Sequence, residues 1–355
     1  MFMERACMVS SRQAIVTIVG AIVVIELLRV YFVNNGYKSN LRYSEKSKKK
    51  SFHLEVTVLT YNSADSLRRL LQSLENAEYD HDSITLHICI DGAKVGDELS
   101  GHRQTVRVAG RFQFTHGEKV LTVRSRNVGV TAQWLDCWNP DVSPGNYGLI
   151  LEDDLRLSPY YYRWLKAAII TYSGHREVGG ITLFRETLVA GQIPMNHRDP
   201  LCTVCGNQTA FLYRFSSNSG YAPMPSIWRK FRQWLLTTMN KTADTDQFLP
   251  YVLSQNVVMN SWITNDFLRR NAMSIEYYQY YFMATHNLFT LYANLPASKT
   301  LACVRRSDGK KGKTRRRQTG KCDVEPLAAW DEAYGQFSAN SIRLDWDGYP
   351  AEYFR

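Results

Sequence analysis

Three consecutive carboxylates, Glu152-Asp153-Asp154, follow the apolar run 149–151. Near-continuous apolar runs of this kind are typical of buried strands in parallel sheets. Open α/β sheets bind ligands beyond the carboxyl ends of their strands, so we expect the three acids at a binding edge. Adjacent carboxylates repel one another and therefore indicate a divalent cation, Mg²⁺ or Mn²⁺, together with an anionic group for the cation to hold. The alternative interpretation is that Glu152 and Asp153 only solvate a loop or cap a helix.

The elements around this trio alternate in type. The pattern predicts strands at 53–60, 84–90 and 120–124, helices at 65–76 and 131–138, and a helix start at Ser158-Pro159. Strands joined by crossover helices are parallel. The predicted fold class is therefore α/β, with a mostly parallel sheet flanked by helices.

Polar side chains follow several of these strands at the same predicted edge. The set comprises Thr60, Asn62, Asp91, Arg126, Asn127, Glu152, Asp153 and Asp154. Arginine makes bidentate contacts with phosphate, and an aspartate accepts hydrogen bonds from a base or ribose. The sequence has no glycine-rich phosphate loop after the first strand, so a metal has to neutralise the phosphates. This combination favours a nucleotide-sugar transferase over a P-loop NTPase or an NAD enzyme.

Four segments together resemble the GT-A glycosyltransferases, especially the family-2-like enzymes and N-acetylglucosaminyltransferase I. They are Thr60-Tyr61-Asn62, Asp91, Arg126-Asn127-Val128-Gly129 and Glu152-Asp153-Asp154, the last being similar to the E-D-D form of the D-x-D motif. The resemblance implies a GT-A, Rossmann-like fold, a UDP-sugar donor and a glycan or glycoprotein acceptor. It implies Asp154 as the Mn²⁺ ligand, with Asp153 and the other edge residues contacting the donor. It covers about residues 54–165 well and the rest of the chain less well.

The catalytic base is less clearly marked. The family places an aspartate before a tryptophan where this chain has Ser261 before Trp262. An inverting transferase needs a carboxylate to take the proton of the acceptor hydroxyl, and Asp266 and Glu276 are the candidates. The alternatives are that Asp266 is a solvated helix acid and that Glu276 pairs with an arginine. His286 is a candidate metal ligand by resemblance, or a core histidine.

The net charge of +10 does not indicate a nucleic-acid partner, because the basic runs 46–50 and 305–321 lack interleaved aromatic residues. Residues 14–33 are mainly apolar and about long enough to span a bilayer. We expect an N-terminal transmembrane helix that acts as an uncleaved anchor, a cleaved signal peptide being the alternative. The enzyme type then predicts a catalytic body in the lumen of the Golgi or endoplasmic reticulum.

These patterns predict a cytoplasmic tail at 1–13, an anchor at 14–33, a basic stem at 34–52, a nucleotide-sugar-binding half at 53–190, an acceptor-binding half at 191–300, and a basic loop and tail at 301–355. Cys303 and Cys322 flank the basic loop and are placed to tie its base, whereas Cys89 and Cys137 read as buried apolar residues. Two other functions stay open. One is an inactive scaffold or lectin-like protein, and the other is a nucleotidyltransferase with the same acidic site.

Overall fold

The structure, a computed structural model, describes residues 52–94, 99–141, 143–185, 204–241, 274–304, 322, 324–338, 340–346 and 348–351. The predicted anchor at 14–33 and the candidate base Asp266 lie outside these ranges. Within them, no helix is long and apolar enough to cross a membrane.

One large sheet organises the described residues. Its nine described strands run in the order β11-β7-β9-β6-β8-β4-β1-β2-β3. The bounds are β1 His53–Thr60, β2 Ile84–Ile90, β3 Gly117–Val123, β4 Asn146–Glu152, β6 Val178–Thr182, β7 Ala210–Tyr213, β8 Tyr221–Pro223, β9 Phe289–Ala293 and β11 Arg343–Leu344. A separate pair joins β5, Leu155–Leu157, to β10, Ala302–Val304. The sheet continues across residue 190, where the sequence suggested a division into two halves.

Six described α-helices accompany the strands. They are α1 Ala64–Glu75, α2 Leu99–Arg111, α3 Val130–Cys137, α4 Tyr161–Tyr172, α5 Pro225–Lys241 and α6 Ile275–Thr285. The amphipathic face predicted for the first helix is confirmed, since Leu67, Leu70, Leu71 and Leu74 of α1 are each at most 1% exposed. Burying a leucine side chain contributes roughly 1.5–3 kcal/mol. This face therefore fixes α1 against the sheet.

The sheet is mostly parallel, as predicted. β1 pairs in parallel with both β2 and β4, and β2 pairs in parallel with β3. The strand β8 is an exception, because it runs antiparallel between β4 and β6. The carboxyl ends of β1, β2, β3 and β4 consequently meet at one edge, and β8 begins at that edge beside β4.

One helix was not predicted and one predicted boundary differs from the structure. Helix α2, between β2 and β3, has no counterpart among the predicted elements, and its only described buried residues are Thr105 and Ala109. The predicted helix start at Ser158-Pro159 is wrong, because α4 begins at Tyr161. Ser158 still bonds to the turn before this helix: its Oγ accepts the Tyr160 N–H at 3.1 Å and donates to the Leu327 carbonyl at 2.6 Å.

The cysteines give one correction and one confirmation. Cys89 and Cys137 are buried, as predicted, but they are not simple apolar residues, because they form a disulfide with a Cα–Cα distance of 6.3 Å. The reason is that the carboxyl end of β2 and the end of α3 lie side by side. Cys303 and Cys322 form the predicted disulfide at the base of the basic segment.

Candidate active site

A cavity of about 340 Å³ opens at the carboxyl edge of β1, β2 and β4. It is lined by Leu59, Thr60, Tyr61, Ser63, Asp91, Lys94, Asn127, Gly129, Val130, Gln133, Glu152 and Asp153. Five of the predicted edge residues are therefore gathered around one space. The parallel pairing of β1 with β2 and β4 is what brings the ends of these three strands together.

Two of the three carboxylates are held by hydrogen bonds. Asp153 accepts from the Thr60 hydroxyl, from the Ser63 hydroxyl and from the backbone N–H of Tyr61. Glu152 accepts from Trp134 Nε1 at 3.1 Å. In the part of the chain that the structure describes, Asp154 has only its own backbone N–H as a partner. The turn after β1 and helix α3 thus orient Asp153 and Glu152, and the oxygens of Asp154 are the least engaged of the three.

Burial makes the charged forms of these acids unfavourable. It raises the pKa of Glu152 to about 7 against the opposing effect of the Trp134 hydrogen bond, and it raises the pKa of Asp153 to about 6. Burial also raises the pKa of Asp154. Within the described ranges, no Lys, Arg or His forms an ion pair with any of the three. Full ionisation near neutral pH therefore calls for an added cation.

The donor set fits a hard divalent cation that keeps open positions. Among the described residues, no group of three or more His, Cys, Asp or Glu side chains is arranged to hold a metal ion. Mg²⁺-type sites commonly use one or two carboxylates and complete their shell with water and substrate phosphates. Adjacent carboxylates at a cavity edge match a Mg²⁺-type site, in which one or two carboxylates bind the ion and substrate phosphates complete its shell. They do not match a site built from protein ligands alone.

Asp91 is 4% exposed, and protein donors occupy its carboxylate. Its Oδ1 accepts from the N–H groups of Gly92 and Val128, and its Oδ2 accepts from Gly129 N and Asn127 Nδ2, all at 2.9 Å. A Cβ on Gly92 would lie 2.1 Å from the backbone carbon of Arg126, so only glycine lets the two segments approach. Asp91 therefore clamps the loop that forms one wall of the cavity.

Two predicted donor contacts do not line the cavity. Arg126 has an exposed side chain, although its backbone packs against Gly92. Asn62 is exposed, and its amide faces helix α2, where a Cβ on Gly101 would lie 2.2 Å from Asn62 Oδ1. Among the described residues that line the cavity, neither Arg126 nor Asn62 is present.

Glu276 and His286 lie at opposite ends of helix α6. Glu276 lies in the first turn of α6 and is close enough to Glu152 to raise its pKa electrostatically. His286 ends the same helix, about 15 Å along its axis at 1.5 Å per residue. There the ring contacts the Phe282 carbonyl at 2.8 Å and stacks on the Phe282 ring at 4.0 Å. The structure brings Glu276 to the carboxylates and does not bring His286.

Two polar residues of the cavity, Lys94 and Gln133, were not singled out from the sequence. Lys94 donates its backbone N–H to the Tyr61 hydroxyl at 2.9 Å, and its ammonium lies 5.7 Å from the centre of the Tyr61 ring. Gln133 lies on α3. The signal for Lys94 was its place just after the Asp91-Gly92 turn, whereas nothing local distinguished Gln133.

A larger cavity of about 710 Å³ lies at the opposite edge, by the amino ends of β2 and β3. Its acids are neutralised by the protein: Arg163 pairs with Glu78 at 2.9 Å and with Asp80 at 2.5 Å, and Lys166 pairs with Asp82. These carboxylates therefore have no need of a metal ion, in contrast to the trio at the carboxyl edge.

Some solved structures share part of this arrangement. Residues 1–349 of S. aureus TarS match at 12% identity and a TM-score of 0.36, over 68% of this chain and 60% of that one. The same fragment in complex with UDP-GlcNAc matches at 12% identity and a TM-score of 0.35, over 68% and 58%. An active-site mutant of LgtC matches at 13% identity and a TM-score of 0.32, over 55% and 66%. At these TM-scores the overlaps carry no functional conclusion.

The described fold and site define an α/β protein whose mostly parallel sheet carries an acidic cavity at its carboxyl edge. A family model described as the SPBC1E8.03c C-terminal domain matches residues 62–243, about half of the sequence, and the chain belongs to this family. No curated protein sequence matches the chain. The chain spans about three fifths of the length of the TarS fragment.

Proposed function

We propose that the protein is a metal-dependent glycosyltransferase that moves a sugar from a UDP-sugar to a glycan or glycoprotein acceptor. The observation that carries the proposal is the half-buried trio Glu152-Asp153-Asp154 beside a cavity of about 340 Å³ at the carboxyl edge of a mostly parallel sheet. A nucleoside fits a cavity of this size and position. A divalent cation bound to the diphosphate would balance the negative charge of the three carboxylates, which have no cationic partner among the described residues. The choice of UDP follows from the resemblance of the sequence motifs to GT-A enzymes.

Asp154 is the proposed metal ligand. Its support is that, among the described residues, its oxygens have no partner other than its own backbone N–H, whereas Asp153 is engaged by Thr60, Ser63 and Tyr61. Bound there, Mn²⁺ or Mg²⁺ would neutralise the charge that develops on the leaving diphosphate. His286 is left out of the proposed metal site, because it ends the helix that Glu276 begins.

Glu276 is the proposed general base of an inverting reaction. In that reaction the Glu276 carboxylate takes the proton of an acceptor hydroxyl, the hydroxyl oxygen bonds to the anomeric carbon, and the bond from that carbon to the diphosphate oxygen breaks. The support is the position of Glu276 in the first turn of α6, within electrostatic reach of Glu152. Asp266 remains the other candidate and lies outside the described residues.

We also propose that the catalytic body works in the lumen of the Golgi or endoplasmic reticulum, anchored by residues 14–33. Its support is the pair of disulfides, Cys89–Cys137 and Cys303–Cys322, because disulfides persist in oxidising compartments. The test is to map the anchor's orientation by protease protection in sealed microsomes, where we expect the body to be protected.

Calorimetry with UDP tests the donor site. We expect wild-type protein to bind UDP in the presence of Mn²⁺ and to lose most of this affinity in EDTA. Asp154→Asn should bind UDP with the same weak affinity in Mn²⁺ as wild type shows in EDTA, since the diphosphate has lost its counter-charge. Asp65→Asn is the matched control, because Asp65 is an exposed acid of α1 paired with Arg68 at 2.5 Å. Equal UDP affinity in Asp154→Asn and wild type would refute the metal assignment, and no binding to wild type would favour an inactive scaffold.

A further inference from the structure

The side-chain amide of Gln133 lines the cavity of about 340 Å³ and forms no hydrogen bond with the described residues. Gln133 is 3% exposed. Its Oε1 lies 3.0 Å from Cys137 Sγ. That sulfur is bonded to Cys89 and has no hydrogen to donate, so the contact joins two acceptors and is not a hydrogen bond. A buried amide without a partner is uncommon and calls for a ligand or a water.

The other buried polar side chains that line this cavity are already engaged. Thr60 donates its hydroxyl to Asp153. Asp91 accepts four hydrogen bonds from the protein, so its carboxylate is not free for the base or ribose contact that the sequence suggested. Of the buried polar residues among the described cavity walls, Gln133 alone therefore keeps its side-chain donors and acceptor for a ligand.

The disulfide places Gln133 at one end of the cavity. Cys137 Sγ, which contacts Gln133, is bonded to Cys89 near the carboxyl end of β2. The next residue of α3, Trp134, reaches the end of β4 instead, where its Nε1 donates to Glu152 at 3.1 Å. The strand β1 lies between β2 and β4. A nucleotide with its diphosphate at the carboxylates would therefore extend its base across β1 toward the Gln133 amide.

We propose that Gln133 recognises the base of the donor nucleotide by pairing with the polar edge of uracil. The proposal rests on the proposed function, because it takes UDP and the position of the diphosphate from it. A side-chain amide presents an acceptor beside a donor, and uracil presents its N3–H donor beside a carbonyl acceptor. Oε1 accepts from N3–H and Nε2 donates to the neighbouring carbonyl oxygen. The base thereby supplies the partners that the protein does not.

Two nucleotides and two proteins compared in one cycle test this pairing. The nucleotides are UDP and 3-methyl-UDP, in which a methyl group replaces the N3 hydrogen. The main variant is Gln133→Met, which keeps the unbranched chain and removes the amide, and Gln133→Ala is the second variant. Inorganic diphosphate is a third ligand that reports on the metal site without a base. Each full-length protein is titrated by calorimetry in Mn²⁺, and circular dichroism checks its folding.

The matched control is Gln279→Met. Gln279 is also 3% exposed, but it lies in α6, donates to Ser216 Oγ at 3.0 Å and does not line the cavity. This variant should bind all three ligands as wild type does. A loss of UDP affinity in Gln133→Met alone would therefore not be the general effect of replacing a buried amide.

We expect wild type to bind UDP about fivefold to tenfold more tightly than 3-methyl-UDP, as the loss of one or two hydrogen bonds predicts. Gln133→Met should bind UDP more weakly than wild type by a similar factor. Its affinities for UDP and 3-methyl-UDP should agree within about twofold, because the partner of N3–H is gone. All the proteins should bind inorganic diphosphate equally, since the diphosphate does not reach Gln133.

Three results would overturn the inference while the donor site stands. The first is equal binding of UDP and 3-methyl-UDP by wild type, which needs no variant. The second is an unchanged ratio between these two affinities in the Gln133 variants, and the third is a parallel loss of UDP and inorganic diphosphate affinity. If wild type binds neither UDP nor inorganic diphosphate, the proposed function fails and the inference fails with it.

Discussion

The substitution Asp91→Asn distinguishes two roles for Asp91: holding the loop 127–129 in place, or contacting the nucleotide directly. The carboxylate of Asp91 accepts four hydrogen bonds at 2.9 Å, two on each oxygen. An asparagine has the same shape, but its NH₂ group replaces one oxygen and then faces two N–H donors. Each buried donor left unpaired costs about 1–3 kcal/mol. We therefore expect the free energy of unfolding to fall by about 2–6 kcal/mol.

Urea denaturation followed by circular dichroism measures this loss, with the midpoint and the slope compared between variants. Asn127→Ala is the matched control, because it removes one side-chain donor from Asp91 and leaves the three backbone bonds. It should cost about 1 kcal/mol. If Asp91→Asn unfolds at the wild-type urea concentration yet loses UDP affinity, the reasoning is wrong and Asp91 contacts the nucleotide directly.

Three further predictions concern the acids and Arg126. Glu276→Gln should lower kcat at least a hundredfold while the Kd for UDP stays unchanged, since general-base catalysis contributes about 10²–10⁴-fold; full activity in a transfer assay would shift the role to Asp266. The pKa of Glu152 rises on folding from 4.5 to about 7. Between these two pH values, and without metal, the folded state keeps a proton on Glu152 that the unfolded state has lost. The free energy of unfolding therefore falls as the pH rises from 4.5 to about 7. Glu152→Gln should flatten that pH dependence in urea unfolding, and an unchanged slope would exclude Glu152 as its source. Arg126→Ala should leave UDP affinity within about twofold of wild type, because the side chain is exposed and does not line the cavity; a calorimetric loss of tenfold or more would return Arg126 to the donor site.

The strands that position the site were readable from the sequence. β1 and β2 have the predicted bounds, 53–60 and 84–90, because each is a short run of apolar and β-branched residues that ends in a polar turn. The common edge of these strands followed from the crossover rule. The gathering of Thr60, Asp91, Asn127, Glu152 and Asp153 around one cavity is the result of that parallel order.

Other features depend on contacts between distant residues. The disulfide between Cys89 and Cys137 joins positions separated by 48 residues, and only the packing of α3 beside β2 makes them neighbours. The Asp91 carboxylate accepts hydrogen bonds from residues 127–129, and the position of that loop is set by tertiary packing and not by the local sequence. The antiparallel insertion of β8 beside β4 has no local sequence signal because the strand is only 3 residues long.

The Cys89–Cys137 disulfide also bears on when during biosynthesis the protein can first bind a ligand. Cys89 precedes the Asp91 clamp by two residues, and Cys137 ends the helix that carries Gln133 and the Trp134 donor to Glu152. The crosslink therefore fastens two walls of the same cavity. A chain translated in a reducing cytosol would keep its sheet, but these walls would be joined only by packing. We therefore expect protein made under reducing conditions to bind nucleotide more weakly than oxidised protein, and nucleotide titrations to need the oxidised form.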